Sequence, residues 1–197
     1  LPISSFSQTR VIMENEVQSQ QLNWLKDAAK NGLILGSIHI VIMLLLYAVM
    51  PSKLTGFSYL LCILVLNFGF CIYYGIQWRN HIGGFLDYGG AFKYAFVLLF
   101  VNGVIGLIFS GLFLVIDPSY PEVMAESQLN TSIYWAEKFG APEDAIDQMK
   151  EQFDPESITK RYTFTGLLTG LGIGVILYAI GALIMAIFIR KNQPEMI

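Results

Sequence analysis

The sequence is poor in charged residues, which make up 14% of its 197 residues. Soluble domains average about 25%, so the composition argues against an ordinary soluble protein. The charges are also unevenly placed, because four windows contain no Asp, Glu, Lys or Arg. These windows are residues 32–50, 54–76, 94–116 and 162–189. Since a membrane-spanning helix needs about 20 apolar residues, we predict four transmembrane helices.

Residue types that carry catalysis or bind metals are scarce as well. The two histidines, His39 and His81, lie on different elements, and both cysteines, Cys62 and Cys71, fall within the second window. No H-E-x-x-H, G-x-S-x-G or P-loop spacing occurs. We therefore expect a non-catalytic protein that has no catalytic residues, no metal, no cofactor and no nucleic-acid partner.

The remaining pattern predicts an all-α integral membrane protein with a small extracytoplasmic helical insert between helices 3 and 4. Pro121 and Pro142, each followed by an acidic residue, are typical of helix starts, and Gly140 is typical of a helix stop. A further start at 154–156 predicts a last helix that runs unbroken into the fourth span. That helix would project from the membrane, with the two shorter helices packed on it.

Lys and Arg residues are more numerous on the side that holds both termini, which predicts cytoplasmic termini by the positive-inside rule. Residues 1–12 precede Met13, which resembles an initiator, and we expect them to be a cloning remnant or a misassigned start. Asn31-Gly32 predicts a break or hinge before the first span. The chain then divides into a cytoplasmic amphipathic segment (13–31), transmembrane helices 1–3 (32–116), an acidic extracytoplasmic insert (117–161), transmembrane helix 4 (162–189) and a cytoplasmic tail (190–197).

Small residues repeat every four positions on the fourth span and again on the first. This pattern is typical of close helix packing in membranes. The predicted packing residues are Gly32, Gly36, Gly166, Gly170, Gly174, Ala182 and Ala186. Three partners stay open at this stage: another helix of the chain, a second copy of it, or another protein.

Few polar side chains lie at membrane depth, and they are His39, Asn67, Asn102 and Thr169. The first three lie near the middle of their helices and could meet at one level. We expect an interhelical hydrogen-bond network, worth about 0.6 kcal/mol per bond. The alternative is a proton or ligand site centred on His39, the only ionisable group among them.

The segment 77–96, "QWRNHIGGFLDYGGAFKYAF", places polar residues and two glycine pairs between the second and third spans. Its predicted interface residues are Trp78, Arg79, His81, Asp87 and Lys93. Interfacial aromatic and basic anchors, a glycine turn and a helix cap at Asp87 account for their presence. An enzyme site or a lipid-headgroup site formed by these residues is the alternative.

Three motifs resemble a family of small four-helix bacterial inner-membrane proteins that is classed as a domain of unknown function. They are "AAKNGLILG" at 28–36, "YYGIQWRN" at 73–80 and "GGAFK" at 89–93, and an extended polar insert follows before the last span. The resemblance implies four helices in the bacterial cytoplasmic membrane and no known activity. Proteins of this kind are often encoded near a polyprenyl-phosphate glycosyltransferase, so the resemblance makes such an enzyme one candidate partner and points to a lipid-linked sugar pathway.

The glycine stripe, the absence of charge inside the spans and the lack of a catalytic constellation together predict an accessory or assembly subunit of a membrane complex. Its expected partners are the lipid bilayer and either a membrane protein or a second copy of the chain. A small transporter or flippase-like carrier, with a path near His39, Asn67 and Asn102, is the first alternative. A continuous cavity that reaches those residues would favour the carrier.

Overall fold

The computed structural model describes residues 3–154, 156–157 and 160–193, with side chains described from Asn23 onward. Within these ranges the chain is helical and has no β-strand. The α-helices are α1 (Ile3–Val49), α2 (Phe57–His81), α3 (Tyr88–Ile116), α4 (Tyr120–Lys138), α5 (Glu143–Glu151) and α6 (Phe164–Ile189). Short 3-10 turns cover Pro51–Lys53 and Lys160–Tyr162.

Four helices are long and apolar enough to cross a membrane. They cover Asn23–Val49, Phe57–His81, Tyr88–Ile116 and Phe164–Ile189. The prediction of an all-α membrane protein with four transmembrane helices is therefore confirmed. The uncharged windows begin later in the sequence than the spans of α1 and α3 do. The first turns of these two spans contain charged residues, which the windows excluded.

Helix α3 lies at the centre of the bundle, with α1 along one side and α6 along the other, whereas α2 makes fewer contacts. One end of the bundle carries the α2–α3 loop (82–87), and we call it the loop end. The opposite end carries the α1–α2 turn (50–56), and we call it the hairpin end. Helix α4 packs on the hairpin-end turn, where Thr55 Oγ1 lies 2.9 Å from Ser127 Oγ.

The hydrophobic core is concentrated in the loop-end half. Small residues on α1, α3 and α6 let the backbones of these helices approach closely. Such close contact stabilises helix pairs in a membrane, where lipid tails are as apolar as the helices themselves. The buried cluster contains Ala28, Leu35, Cys71, Ala91, Tyr94, Ala95, Leu98, Leu99, Ala182, Met185, Ala186 and Ile189.

The α2–α3 loop turns at Gly83 and Gly84, whose φ angles of 102° and 86° lie in the left-handed region that glycine tolerates. Asp87 then caps α3 by accepting a hydrogen bond from Gly90 N at 3.2 Å, as its position in the sequence predicted. Leu86 and Lys191 exchange two backbone hydrogen bonds of 2.9 and 2.8 Å. The loop is therefore fixed to the chain that leaves α6.

The predicted break at Asn31-Gly32 is wrong, because α1 continues through both residues without interruption. A Cβ atom at Gly32 would lie 2.5 Å from Leu98 O on α3. The glycine thus permits close helix approach and is not a hinge. Asn31 is buried and donates hydrogen bonds to Asp27 and Tyr94 instead of ending the helix.

The predicted unbroken last helix is also wrong. The turn Lys160–Tyr162 is 3-10, and α6 begins only at Phe164. Thr163 separates them, because its hydroxyl donates to Lys160 O at 2.7 Å and accepts from Gly166 N at 3.2 Å. This side chain therefore ends one helix and caps the next. Helix α4 packs mainly on the hairpin-end turn and α5 packs on α4, instead of both packing on a projecting α6.

The sequence signals for α4 and α5 agree with the structure. Pro121 lies in the first turn of α4, and α5 begins at Glu143 directly after Pro142. Gly140 follows the end of α4 with a φ of 79°, a conformation that favours glycine.

Candidate functional site

A cleft opens in the hairpin-end half of the bundle, where the core side chains end. One chamber of about 500 Å³, which we call the inner chamber, lies among α1, α2, α3 and α6. A second chamber of about 780 Å³, which we call the outer chamber, lies between α3 and the first half of α6. Gly103, Ser110 and Tyr178 line both chambers. We call the two chambers together the intramembrane cleft.

Helix α3 forms a wall of the intramembrane cleft with glycines that leave space beside it. A Cβ atom at Gly106 would meet no atom within 4 Å. At Gly103 the Tyr178 ring of α6 occupies the place that a side chain would take. Tyr178 therefore lies between the two chambers, and its ring packs on the backbone of α3.

The inner chamber holds three of the four polar residues predicted at membrane depth. His39, Asn67 and Asn102 all line it. Asn102 Nδ2 donates to Asn67 Oδ1 at 3.2 Å, and Asn67 Nδ2 donates to Ile63 O at 2.7 Å. In the described part of the chain, the buried His39 Nε2 has no hydrogen-bond partner. The inner chamber therefore combines an interhelical hydrogen bond with an unsatisfied imidazole nitrogen.

Thr169 lies apart from these three residues, in the outer chamber. Its hydroxyl donates to Thr165 O at 2.9 Å, within its own helix. The outer chamber reaches the basic residues Lys160 and Arg161 at the start of α6. Lys160 Nζ pairs with Glu156 at 3.0 Å, and both partners are exposed.

The predicted packing residues are divided between the two halves. Gly32 and Gly36 of α1 contact α3, and Ala182 and Ala186 of α6 are fully buried in the core. In the hairpin-end half, a Cβ atom at Gly170 would meet no described atom within 4 Å. The space beside Gly174 is bounded by Tyr178 of the same helix, and that beside Gly166 by the backbone of Lys160 and Arg161.

At the loop end, the predicted interface residues do not all point to one place. Arg79 Nη1 donates to Ile189 O at 2.9 Å and thus binds the end of α6. Trp78 stacks on Tyr94 with ring centroids 6.2 Å apart, and lies 5.8 Å from the His81 ring. Asp87 caps α3, while Lys93 is exposed. Arg79 and Asp87 therefore have structural partners.

Sequence reasoning missed a polar network at the loop end. Tyr94 OH donates to Asp27 Oδ2 at 2.6 Å, and Asn31 Nδ2 donates to Tyr94 OH at 2.9 Å. The i, i+4 spacing of Asp27 and Asn31 on a helix was the available signal. It was overlooked because the expected break at Asn31-Gly32 placed Asp27 outside the first span.

A second polar contact joins α1 to the α3–α4 connection at the hairpin end. Asp117 accepts hydrogen bonds from Ser119 Oγ and Tyr47 OH, both at 2.6 Å. The hydrogen bond from the Ser119 side chain is the main cause that lowers the pKa of the Asp117 carboxyl, and that from Tyr47 adds to it. Asp117 therefore favours its charged form at this membrane boundary.

Among the described residues, no group of three or more His, Cys, Asp or Glu side chains could hold a metal ion. Comparison with the curated proteins and with the solved structures gives no match. A family model described as "Protein of unknown function (DUF4199)" matches residues 30–191. The matched part contains both chambers of the intramembrane cleft, the first span from residue 30 onward and the other three spans in full. The chain is a multi-pass membrane protein and belongs to the DUF4199 family.

Proposed function

We propose that this protein binds a lipid-like amphiphile in the intramembrane cleft and acts as a small carrier for it. The observation that carries this proposal is the shared wall of Gly103, Ser110 and Tyr178, which joins the polar inner chamber to the outer chamber. The two chambers, about 500 and 780 Å³, have the size of ligand pockets, which measure about 300–1,000 Å³.

The lining of the intramembrane cleft suits a molecule with one polar and one apolar part. Most of the lining is apolar, contributed by residues such as Leu64, Leu107 and Leu177. The free nitrogen of His39 would serve a polar head that lacks water at this depth, because an unpaired polar group in hydrocarbon is costly. Arg161 at the opposite mouth adds positive charge near the membrane boundary.

The orientation is part of the same proposal. The distribution of Lys and Arg favours both termini in the cytoplasm, and the family resemblance favours the bacterial cytoplasmic membrane as the location. The loop end would then face the cytoplasm, and the outer chamber would open toward the extracytoplasmic side. An amphiphile could enter beside α6 from that leaflet.

The test compares two glycine variants that differ only in position. Gly106 lines the inner chamber and Gly172 lies outside both chambers, and at each position a Cβ atom would meet nothing within 4 Å. Gly106→Leu should fill the chamber, whereas Gly172→Leu should leave it unchanged. The measurement is binding of the fluorescent fatty acid NBD-stearate to purified protein in detergent.

We expect Gly106→Leu to weaken NBD-stearate binding by about tenfold or more, equivalent to about 1.4 kcal/mol. Gly172→Leu should bind as the parent does. His39→Leu should weaken binding less, because it removes one polar contact and keeps the volume. Equal binding by all three variants and the parent would show that the cleft is not the site.

The carrier step has a separate measurement. Proteoliposomes that contain NBD-labelled phosphatidylglycerol should lose more fluorescence to external dithionite when they hold the parent protein than when they hold Gly106→Leu. If binding is present and transfer is not, the protein binds the amphiphile without carrying it.

The accessory-subunit hypothesis is the alternative role, with a polyprenyl-phosphate glycosyltransferase as one candidate partner. It predicts that a membrane protein co-purifies after gentle solubilisation, and that the Gly106→Leu protein retains this partner. A carrier that works alone would instead purify as a monomer or homodimer with cleft-dependent binding.

A further inference from the structure

Three adjoining cavities lie at the loop end, well separated in their lining from the intramembrane cleft. Their volumes are about 620, 530 and 370 Å³, and Trp78 and His81 line all three. We call them together the loop-end pocket. No residue that lines it also lines the intramembrane cleft.

The acidic residues of the loop-end pocket already have partners within the chain. Asp27 accepts hydrogen bonds from Tyr94 OH at 2.6 Å and from Asn31 Nδ2 at 3.1 Å. Asp87 accepts the capping hydrogen bond from Gly90 N. Both carboxylates are therefore used to hold α1 and α3 in place, and they offer little to a bound cation.

The basic residues of the loop-end pocket, unlike its acidic residues, have no partners in the described part of the chain. Lys26 and Lys30 line it on the α1 side, and Lys93 lines it on the α3 side. All three side chains are exposed. In the part of the chain that the structure describes, none of them forms an ion pair or a hydrogen bond. Three lysines against two aspartates give the lining of the pocket a formal net charge of +1, with His81 counted as neutral.

We propose that the loop-end pocket binds a phosphate group, with Lys30 and Lys93 as its basic residues. Lys30 lines two of the three cavities and Lys93 lines the third, and His81, which lines all three, adds a further nitrogen. Lysine is a common point-charge partner of phosphate. Trp24 and Trp78 line the pocket as well, and tryptophan favours the headgroup layer of a membrane.

The phosphate has two sources, which share this chemistry. It belongs either to an anionic phospholipid in the leaflet at the loop end or to a small soluble phosphate ester. Basic residues next to a membrane gain about 1 kcal/mol each from anionic lipids. A soluble ester would be held by the same lysines without the contribution of a surface.

Tryptophan fluorescence can report on this pocket alone. The chain has three tryptophans, and Trp24 and Trp78 both line the pocket. The third, Trp135, lies on α4 at the other end, so Trp135→Phe removes the unrelated signal. The protein is placed in phosphatidylcholine nanodiscs that contain an increasing fraction of phosphatidylglycerol. Glycerol 3-phosphate is titrated in a second arm, with phosphatidylcholine alone.

We expect a saturable fluorescence change in one of the two arms. Lys30→Gln and Lys93→Gln should each weaken the response by about fivefold, the value of one basic residue near an anionic surface. The matched control is Lys53→Gln, which removes one exposed lysine at the hairpin end, outside the pocket. It should leave the response unchanged.

The two titrations identify the source of the phosphate or overturn the proposal. A response to phosphatidylglycerol alone identifies a lipid phosphate, and a response to glycerol 3-phosphate identifies a soluble ester. If neither arm gives a response, the proposal is overturned. It is also overturned if Lys53→Gln weakens the response as much as the pocket variants do, because the attraction is then a general surface effect. The binding of NBD-stearate to the intramembrane cleft is independent of either result.

Discussion

The two halves of the bundle use similar residues to different effect. In the loop-end half, Ala182 and Ala186 of α6 are fully buried against neighbouring helices. In the hairpin-end half, the same helix presents Gly170 with no described atom near its missing side chain. Small residues therefore permit close packing and do not by themselves produce it. The half that is closed has larger side chains, such as Leu98 and Met185, that fill the space between the helices.

The polar residues differ between the halves as well. In the loop-end half, Asp27, Asn31 and Tyr94 form a hydrogen-bonded network, although the buried Arg79 Nε there has no partner among the described residues. In the hairpin-end half, His39 Nε2 also has none, and His39 lines the intramembrane cleft. A hydrogen-bonded network stabilises a fixed arrangement, whereas an unsatisfied group in the wall of a cavity indicates a place for a ligand.

The two native cysteines test the division most sharply, because both lie on α2. Cys71 is buried in the core of the loop-end half, and Cys62 is exposed in the hairpin-end half. We expect N-ethylmaleimide to modify Cys62 in detergent-solubilised protein and to spare Cys71 until the protein unfolds. Intact mass spectrometry of Cys62→Ser and Cys71→Ser proteins assigns the signal. Equal modification rates would contradict the difference in packing.

A methyl group at Gly32 should destabilise the closed half. Its Cβ would lie 2.5 Å from the backbone oxygen of Leu98, which cannot move aside as a side chain can. We expect Gly32→Ala to reduce the free energy of unfolding by about 1–3 kcal/mol, the usual cost of overpacking. The measurement is unfolding in detergent followed by circular dichroism.

Gly170→Ala is the matched control in the open half. Its Cβ would meet no described atom within 4 Å, and alanine favours helix by up to about 1 kcal/mol over glycine. This variant should be neutral or slightly stabilised. A loss as large as that of Gly32→Ala would mean that α6 packs closely there, for example against a second copy of the chain.

Removal of the Tyr94 hydroxyl should have a smaller effect on stability. Tyr94→Phe deletes the hydrogen bonds that the hydroxyl makes with Asp27 and Asn31 and keeps the ring that stacks on Trp78. We expect a loss of about 1 kcal/mol, since hydrogen bonds in membrane proteins average about 0.6. Tyr178→Phe is the control in the intramembrane cleft, where the hydroxyl has no hydrogen bond within the described residues, and it should be near neutral.

The smallest expected effect concerns the pH dependence at Asp117. Its pKa in the folded protein lies below the ordinary 3.8, because Ser119 and Tyr47 donate hydrogen bonds to the carboxylate. The stabilisation is therefore fully present above the ordinary pKa and is lost as the pH falls through the lowered pKa. Melting temperatures between pH 7 and pH 3 should fall less in Asp117→Asn than in the parent. The control Asp147→Asn, which affects an exposed ion pair with Lys150, should behave as the parent does.

Local signals predicted the elements that depend on neighbouring residues alone. The cap at Asp87, the turn at Gly83-Gly84 and the helix stop at Gly140 were all evident in the sequence, because each involves residues within a few positions. The four spans were evident for a similar reason, since a window without charge is a property of a short segment.

The two errors have different physical causes, one in distant residues and one in a local side-chain contact. Asn31-Gly32 has the composition of a break, but Leu98 and Tyr94 of α3 hold it within a continuous helix. The length of α6 was overestimated because the Thr163 hydroxyl donates a hydrogen bond to Lys160 O and accepts one from Gly166 N, which starts the helix there. The apolar pattern of the sequence does not indicate these hydrogen bonds. The Asp27 network was missed as a consequence of the first error.

The sequence by itself determined that this chain enters a membrane with four helices, because hydrocarbon requires long uncharged helical segments. It also brought His39, Asn67 and Asn102 to a similar depth in their helices. Only the tertiary structure decided that the bundle closes at one end and opens at the other. That difference depends on which side chains meet between α1, α3 and α6, and helices in lipid have no general hydrophobic force to bring them together. The intramembrane cleft and the loop-end pocket both follow from this packing.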